Sequence, residues 1–274
     1  MQGTCTRAFI IGLDGLRGPA LDEAPTPNID AVLADGVRTL HAMTVMPSSS
    51  YQAWGAMFHG VGPEKHGIGG ATPIAEDVAW PSFMKLARQQ DPSATLGAYC
   101  CWTPIITDII EGSADCQTLS TGDAELTAAA CEFIRTQKPD VLFLHLDEID
   151  GTGHSRGYRS AEYLAKVTET DALVGDVIAA IRDIGAYDDS LILILSDHGG
   201  VTFELEDGGV AHSHGRDDPD CMEILWGCRG PGIAKGARLD GDVNIMDTAP
   251  VVARALGLPI PAGWDAKIPD GVFV

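Results

Sequence analysis

The sequence predicts an α/β fold of three layers, an α/β/α sandwich in which helices cover both faces of a largely parallel central sheet. Short apolar runs rich in Val, Ile and Leu recur along the chain, notably at 8–13, 141–146 and 191–195. Such uninterrupted runs are typical of strands that are buried on both faces of a parallel sheet. Stretches with helical spacing separate the runs, and this alternation of strands and helices favours the layered architecture.

The N-terminal half contains further candidate strands and several candidate helices. Pro27 opens the first of these helices and Gly60 stops the second, in positions that these residues favour at helix ends. The second helix is amphipathic and directly follows a run of three serines. We predict strands over 37–45 and 95–99, and helices over 29–34, 51–59, 80–90 and 105–110.

The C-terminal half shows the same signals. We predict helices over Asp123–Gln137, 158–184 and Thr248–Leu256, the last of them capped by Asp247, and a late strand over 222–226. The segment 201–220 is rich in glycine and in acidic residues and is predicted to be a loop. Because the chain shows no internal repeat, low-complexity tract or linker, we expect residues 1–274 to form one domain.

The composition limits the classes of partner. Among 274 residues, 39 acidic side chains against 18 basic ones give a formal net charge of −21. A surface this acidic repels phosphate backbones and anionic lipids, which argues against a nucleic acid polymer or a membrane as partner. A small phosphorylated substrate remains compatible, because bound divalent cations would dominate the field at its site. The composition does not decide whether the chain forms a homo-oligomer.

The cysteines and the N-terminal sequence bear on the cellular compartment in which the protein is located. The seven cysteines form no C-x-x-C pair, and this usage is typical of reduced thiols. The apolar run that ends before Asp14 is too short for a secretory signal or a membrane span. Together these features predict a cytoplasmic protein.

Carboxylates and imidazoles follow three of the predicted strands at the same end. Asp14 follows the first apolar run, Asp150 and His154 follow the second, and Asp197 and His198 follow the third. Because the carboxyl ends of parallel strands meet at one edge of the sheet, we expect these side chains to converge. Carboxylates and imidazoles in this arrangement indicate a metal site.

Two more features belong to the same region. His214 stands in the glycine-rich segment, where it is either a solvated turn residue or a ligand that the loop brings to the metal. Ser48, Ser49 and Ser50 precede a predicted helix, whose backbone N–H groups and dipole favour an anion. Serines at such a position are also ordinary helix caps.

Seven motifs occur in order along the chain: Gly12-Leu13-Asp14-Gly15, Pro47-Ser48-Ser49-Ser50, Pro63-Glu64-Lys65-His66-Gly67, Asp150-Gly151-Thr152-Gly153-His154, Ser196-Asp197-His198-Gly199, His214-Gly215 and Asp247-Thr248-Ala249-Pro250. Together they resemble the alkaline phosphatase superfamily, and within it the type I phosphodiesterase/nucleotide pyrophosphatase branch. The motifs span nearly the whole chain, and only their combination is specific.

The resemblance implies two metal ions, expected to be zinc, with manganese and iron as alternatives. One ion would be held by Asp14, Asp197, His198 and Ser50, and the other by Asp150, His154 and His214. Nitrogen and oxygen ligands without a thiolate suit a catalytic metal pair better than a structural zinc site. The resemblance also makes Ser50 the nucleophile, which would form a phosphoseryl intermediate.

The chain departs from the family pattern in the support of the phosphoryl group. The family usually carries Thr as the nucleophile and an Asn that holds a phosphoryl oxygen, and the alignment places Ala71 at the position of that Asn. Gln52 is the candidate replacement, and Tyr51 is a second candidate substrate contact. Ser50-Tyr51-Gln52 also lacks the pattern of the related sulfatases, which counts against sulfate esters.

We therefore predict a metal-dependent phosphoric ester hydrolase of the phosphodiesterase or nucleotide pyrophosphatase type. The alternatives are a phosphomonoesterase or phosphomutase of the same superfamily and a non-catalytic relative that binds metal. Lys65 is the only cation between Ser50 and Gly70, and the regions around Asp150 and Asp197 offer at most Arg156 and Arg159, whereas a monoester dianion calls for more. A diester or phosphoanhydride, with one charge at the reacting phosphorus, suits this site better.

Overall fold

The computed structural model describes residues 3–70, 72–239 and 241–274. The strands are β1 (Arg7–Leu13), β2 (Val37–Met43), β3 (Leu96–Cys100), β4 (Gln117–Leu119), β5 (Val141–Leu146), β6 (Ser190–Ser196), β7 (Val201–Glu204), β8 (Val210–Ser213), β9 (Glu223–Arg229) and β10 (Ala237–Arg238). The helices are α1 (Ala20–Glu23), α2 (Pro27–Ala34), α3 (Ser50–His59), α4 (Pro63–His66), α5 (Phe83–Gln90), α6 (Asp123–Gln137), α7 (Glu148–Arg156), α8 (Ala161–Asp183), α9 (Pro219–Met222) and α10 (Thr248–Leu256). Ile105–Ile109 forms a π-helical turn, and Gly112–Ala114 and Ile245–Asp247 form 3-10 turns.

An eight-stranded sheet with the order β10-β2-β9-β6-β1-β5-β3-β4 forms the middle of the fold. At its centre β1 runs parallel to both neighbours, so that Ile10 is paired with Phe143 of β5 and with Leu193 of β6. Strand β9 is antiparallel to β2 and to β6, and the other pairs are parallel. The predicted largely parallel sheet is therefore confirmed, with one reversed strand inside it.

The buried residues form a layer on each face of the sheet. Successive side chains of β1 alternate between the two layers, since neighbouring residues of a strand point to opposite faces. Ile10 packs into the layer that contains α3, α5 and α10, whereas Phe9 and Ile11 pack into the layer that contains α2, α6 and α8. This division confirms the three-layer α/β/α architecture.

Most predicted elements are confirmed, some with shifted ends. The predicted bounds of Asp123–Gln137, Val141–Leu146 and Thr248–Leu256 agree with the structure. The helix predicted from residue 80 begins at Phe83, and the one predicted from residue 158 begins at Ala161. In both cases the preceding serine, Ser82 or Ser160, accepts a backbone N–H from the third residue of the helix, and this cap fixes the start.

The predicted cap of the last helix is different in detail. The Asp247 carboxylate does not cap α10 but accepts the backbone N–H of Asn244, whose own side chain accepts the N–H of Met246. This reciprocal pair stabilises the 3-10 turn that leads into α10.

Two segments beside the candidate metal ligands were among those not predicted from the sequence. Residues 148–156 form helix α7. The sequence did not predict this helix because Gly151 and Gly153 lie inside it, and glycine disfavours a helix interior. The predicted loop 201–220 contains the hairpin of β7 and β8 and the short helix α9. Along the described part of the chain, no helix combines the length and the apolar composition needed to cross a membrane.

Candidate metal centre and active site

Three carboxylates meet at the carboxyl ends of the central strands. Asp14 directly follows β1, Asp197 directly follows β6, and Asp150 lies in the first turn of α7 behind β5. All three side chains are buried. Gly15 allows this close approach, because a Cβ at its position would overlap the Asp150 carboxylate and its φ of 68° also favours glycine.

Asp14, Asp197 and His198 form the first compact group, with donor atoms within 4.8 Å of one another. His198 Nε2 lies 3.5 Å from Asp14 Oδ1 and 3.3 Å from Asp197 Oδ2. These two carboxylate oxygens are buried and have no hydrogen-bond partner among the described residues. Because buried carboxylate oxygens are costly to leave unpaired, this donor set fits a divalent cation.

Asp150, His198 and His214 form a second compact group, whose donor atoms also lie within 4.8 Å of one another. The rings of His198 and His214 are stacked, with their centroids 3.8 Å apart. His154, expected in this set, lies at the rim, where its Nε2 is 3.1 Å from Asp150 Oδ2 and its side chain is 40% exposed. His198 thus lies between both groups, and His154 approaches the second group from outside.

The three histidines present the same ring nitrogen to the cluster. His198 Nδ1 donates to the carbonyl of Gly199 at 2.9 Å, and His154 Nδ1 donates to the carbonyl of His212 at 3.0 Å. His214 Nδ1 donates to a third carbonyl, that of Ser48, at 3.0 Å. Since a carbonyl only accepts, each Nδ1 carries a proton, which leaves Nε2 as the nitrogen that can bind a metal once the imidazole is neutral.

The electrostatics of the cluster reflect an excess of buried negative charge. Burial raises the pKa of Asp197 well above its usual value, and the nearby Asp14 adds to the effect. Burial lowers the pKa of His198, but the carboxylates of Asp197 and Asp14 outweigh it and raise this pKa to about 9. Burial, together with His198, lowers the pKa of His214 to about 4. The pKa shifts thus indicate an excess of buried carboxylate charge, which one or more metal ions would offset.

Ser50 is the serine that faces this cluster. It is the first residue of α3, not the last residue before the helix as predicted, and its Oγ lies 3.1 Å from His198 Nε2. Ser49 occupies the N-cap position but makes no side-chain cap. Ser48 is buried, and its hydroxyl donates to the carbonyl of Arg216. The helix thus places one hydroxyl at the candidate metal groups.

A family model described as type I phosphodiesterase / nucleotide pyrophosphatase matches residues 8–77 and 102–214, which include every predicted metal ligand and Ser50. The chain belongs to this family. A mouse relative, bis(5'-adenosyl)-triphosphatase enpp4, is 23% identical over 222 residues, which cover 72% of this chain and 48% of the relative. Zebrafish arylsulfatase K is 30% identical over 103 residues, covering 38% of this chain and 19% of its own length. The chain thus spans about half the length, or less, of these curated relatives.

Solved structures share the fold. Murine ectonucleotide pyrophosphatase / phosphodiesterase 5 superposes with a TM-score of 0.81 at 14% identity, covering 97% of this chain and 100% of the other. An inactive variant of that murine protein in complex with AMP gives a TM-score of 0.79 at 14% identity, with coverages of 99% and 100%. Ps i-CgsB gives 0.74 at 17% identity, with coverages of 96% and 75%. At these identities the likeness shows the fold alone.

The substrate contacts expected from the phosphodiesterase family can be located in part. The Tyr51 hydroxyl donates to Asp108 at 3.1 Å, and its ring meets the edge of Trp102 with centroids 4.5 Å apart. Gln52 follows in the first turn of α3, and its carbonyl accepts the ring N–H of His66. Ala71 lies outside the described residues.

Three residues that support the carboxylates were missed. The Trp54 indole and His145 both donate to Asp14, and the Tyr158 hydroxyl donates to Asp150 Oδ1 at 2.7 Å. His145 could have been found from the sequence, because it lies inside the apolar strand β5 and a buried imidazole requires a hydrogen-bond partner. The spacing of Trp54 and Tyr158 along the sequence predicts only that they are ordinary core residues.

Proposed function

We propose that this chain is a metal-dependent phosphoric ester hydrolase of the phosphodiesterase/nucleotide pyrophosphatase type, with two divalent ions, expected to be zinc. The observation that supports it most is the pair of buried, unpartnered oxygens of Asp14 and Asp197 beside the Ser50 hydroxyl. A structural role would leave these oxygens paired within the protein, whereas a cation site requires them free.

The two proposed ligand sets follow the sequence motifs. Asp14, Asp197, His198 and Ser50 would hold one ion, and Asp150, His154 and His214 the other. Bound cations of this kind act as Lewis acids and lower the pKa of a hydroxyl that contacts them. The protein contributes fixed Nε2 atoms, buried carboxylates and a hydroxyl at the N-terminus of α3, where the helix dipole favours an anionic phosphoryl group.

Ser50 is the proposed nucleophile. Its Oγ would lose its proton and form a bond to phosphorus while the bond from phosphorus to the leaving oxygen breaks. This gives a phosphoseryl intermediate, and the proton leaves with the released alcohol or phosphate. Water then cleaves the phosphoseryl bond and regenerates Ser50. At 3.1 Å from His198 Nε2, the Ser50 hydroxyl lies beside the nitrogen that would hold the same ion.

The cations near the site favour a diester or a phosphoanhydride over a monoester. The Lys65 ammonium is held by Asp265 and the Arg159 guanidinium is held by both oxygens of Asp220. Arg156, at the end of α7, has no charged partner among the described residues, so it is a candidate for added phosphate capture. A dianionic monoester would lack the further cations that its charge calls for.

Turnover of two aryl esters tests this proposal. We expect a higher kcat/KM for bis-(p-nitrophenyl) phosphate than for p-nitrophenyl phosphate, loss of activity with a chelator and recovery with zinc. A tenfold preference for the monoester would favour the phosphomonoesterase alternative and direct attention to Arg156. Less than one bound metal per chain, with full activity after chelation, would contradict the metal-dependent mechanism.

The partner and the compartment are also part of the proposal. A small phosphorylated molecule fits the net charge of −21 better than a nucleic acid polymer or a membrane does. The seven cysteines are all free thiols in the structure, which supports the cytoplasm as the compartment. Protein purified without reductant and then denatured should expose seven titratable thiols, and a lower count would contradict this assignment.

A further inference from the structure

One oxygen of Asp14 receives two hydrogen bonds from separate elements. The Trp54 indole N–H, on α3, donates to Asp14 Oδ2 at 3.1 Å. His145 Nε2, on β5, donates to the same oxygen at 2.8 Å. All three side chains are at most 1% exposed, so no water competes for these bonds.

The other oxygen of Asp14 is left free. Asp14 Oδ1 has no hydrogen-bond partner among the described residues and lies 3.5 Å from His198 Nε2, inside the first metal group. The terminal torsion of a carboxylate is broad and nearly two-fold, so an unsupported Asp14 would exchange its two oxygens. Two N–H donors on Oδ2 fix the torsion and point Oδ1 at the group.

We infer that Trp54 and His145 are positioning residues that hold Asp14 in the orientation needed for metal binding, an inference that rests on the proposed function. The two rings also support each other, since they pack edge to face with centroids 5.3 Å apart. Because the carboxylate accepts, His145 carries its proton on Nε2. A site supported in this way is ordered before the cation arrives, which raises the affinity for metal.

A different interpretation of the same residues is a third cation site. Donor atoms of Asp14, His145 and Asp147 also lie within 4.8 Å of one another. Asp14 Oδ2, the oxygen that contacts His145, already accepts two N–H groups, however, and the His145 Nε2 that contacts it carries a proton. The hydrogen-bond geometry therefore favours a positioning role over a third cation.

The zinc affinity of the metal-depleted chain, residues 1–274, tests the inference. We would measure it by competition with a chromophoric chelator for Trp54→Phe, His145→Phe and His145→Gln. The matched control is Trp226→Phe, because Trp226 is also fully buried and donates its indole N–H to a side chain, Thr248, outside the metal groups.

We expect Trp54→Phe and His145→Phe each to weaken the tightest zinc site by about 10- to 100-fold, the usual effect of losing such a support. His145→Gln should recover much of the affinity, because its amide can still donate. Trp226→Phe should leave the affinity unchanged even if it lowers the unfolding temperature. The rise in unfolding temperature on adding zinc should shrink in the first two variants alone, whatever their stability without metal.

The possible failures are distinguishable. If the unsubstituted chain binds no divalent metal, the proposed function fails and this inference fails with it. If it binds zinc and both Phe variants bind equally tightly, the positioning inference alone is wrong. Three zinc ions per chain, falling to two in His145→Phe, would show a third cation site and would also overturn the inference.

Discussion

At the scale of single residues, the structure gives three adjacent serines three different environments. The Ser50 hydroxyl lies 3.1 Å from His198 Nε2, whereas the Ser48 hydroxyl is directed to the Arg216 carbonyl. Ser49 makes no side-chain cap. From the sequence, the family resemblance named Ser50 as the candidate nucleophile, but capping stayed an alternative for this run, because caps and phosphate contacts both favour serine at a helix N-terminus.

Ser50→Ala should lower kcat by about 10³-fold or more, because removal of a nucleophile eliminates the covalent pathway. Ser49→Ala should be nearly silent, and Ser48→Ala should cost less than about tenfold, since it is the backbone carbonyl of Ser48 that holds His214. Steady-state kinetics on an aryl diester, with metal content measured in parallel, checks this. An inactive Ser49→Ala beside an active Ser50→Ala would show that Ser49, and not Ser50, is the nucleophile.

At the scale of elements, α7 shows how glycine shapes the site. The Tyr158 ring, which holds Asp150 through its hydroxyl, lies against Gly153 of α7 and Gly200 after β6. A Cβ at either glycine would overlap that ring. Gly153, together with Gly151, also made α7 hard to predict from the sequence, because glycine lowers helix propensity.

Gly153→Ala should therefore disturb Tyr158 and Asp150, lowering both the unfolding temperature and the zinc affinity, since overpacking costs about 1–3 kcal/mol. Gly151→Ala is the matched control in the same helix, because a Cβ there meets no neighbour within 4 Å. It should leave the protein as stable or stabilise it by up to about 1 kcal/mol through helix propensity. Equal effects of the two substitutions on thermal unfolding and zinc binding would contradict the packing argument.

At the scale of the whole molecule, the net charge of −21 destabilises the compact state by self-repulsion. The chelated protein should therefore gain several degrees in unfolding temperature between about 0.01 and 0.3 M salt, where the Debye length shortens from about 30 Å to below 10 Å. Sodium and potassium chloride should act alike, because screening depends on ionic strength. A fall in unfolding temperature would mean that ion pairs outweigh the repulsion.

Much of this architecture was predictable from local signals, whereas its supports were not. Apolar runs located the three central strands, and the polar residues after them identified Asp14, Asp150 and Asp197 as neighbours. The hairpin of β7 and β8 was not predicted, because its strands are short and half-exposed and so lack an apolar pattern. The roles of Trp54 and His145 depend on which oxygen of Asp14 they touch, and no spacing along the chain encodes that.

The place of β1 at the centre of the sheet has a consequence for synthesis on the ribosome. Its partner β5 lies far along the chain, and the bonds that Asp14 and its neighbour Gly15 make to His145 and Asp197 join residues 131 and 182 positions apart. Because contacts of such high order form only after the later segment has left the exit tunnel, a nascent chain that ends before β6 lacks the complete ligand set. Metal binding at the proposed site would therefore require a chain whose central strands have all been made and joined.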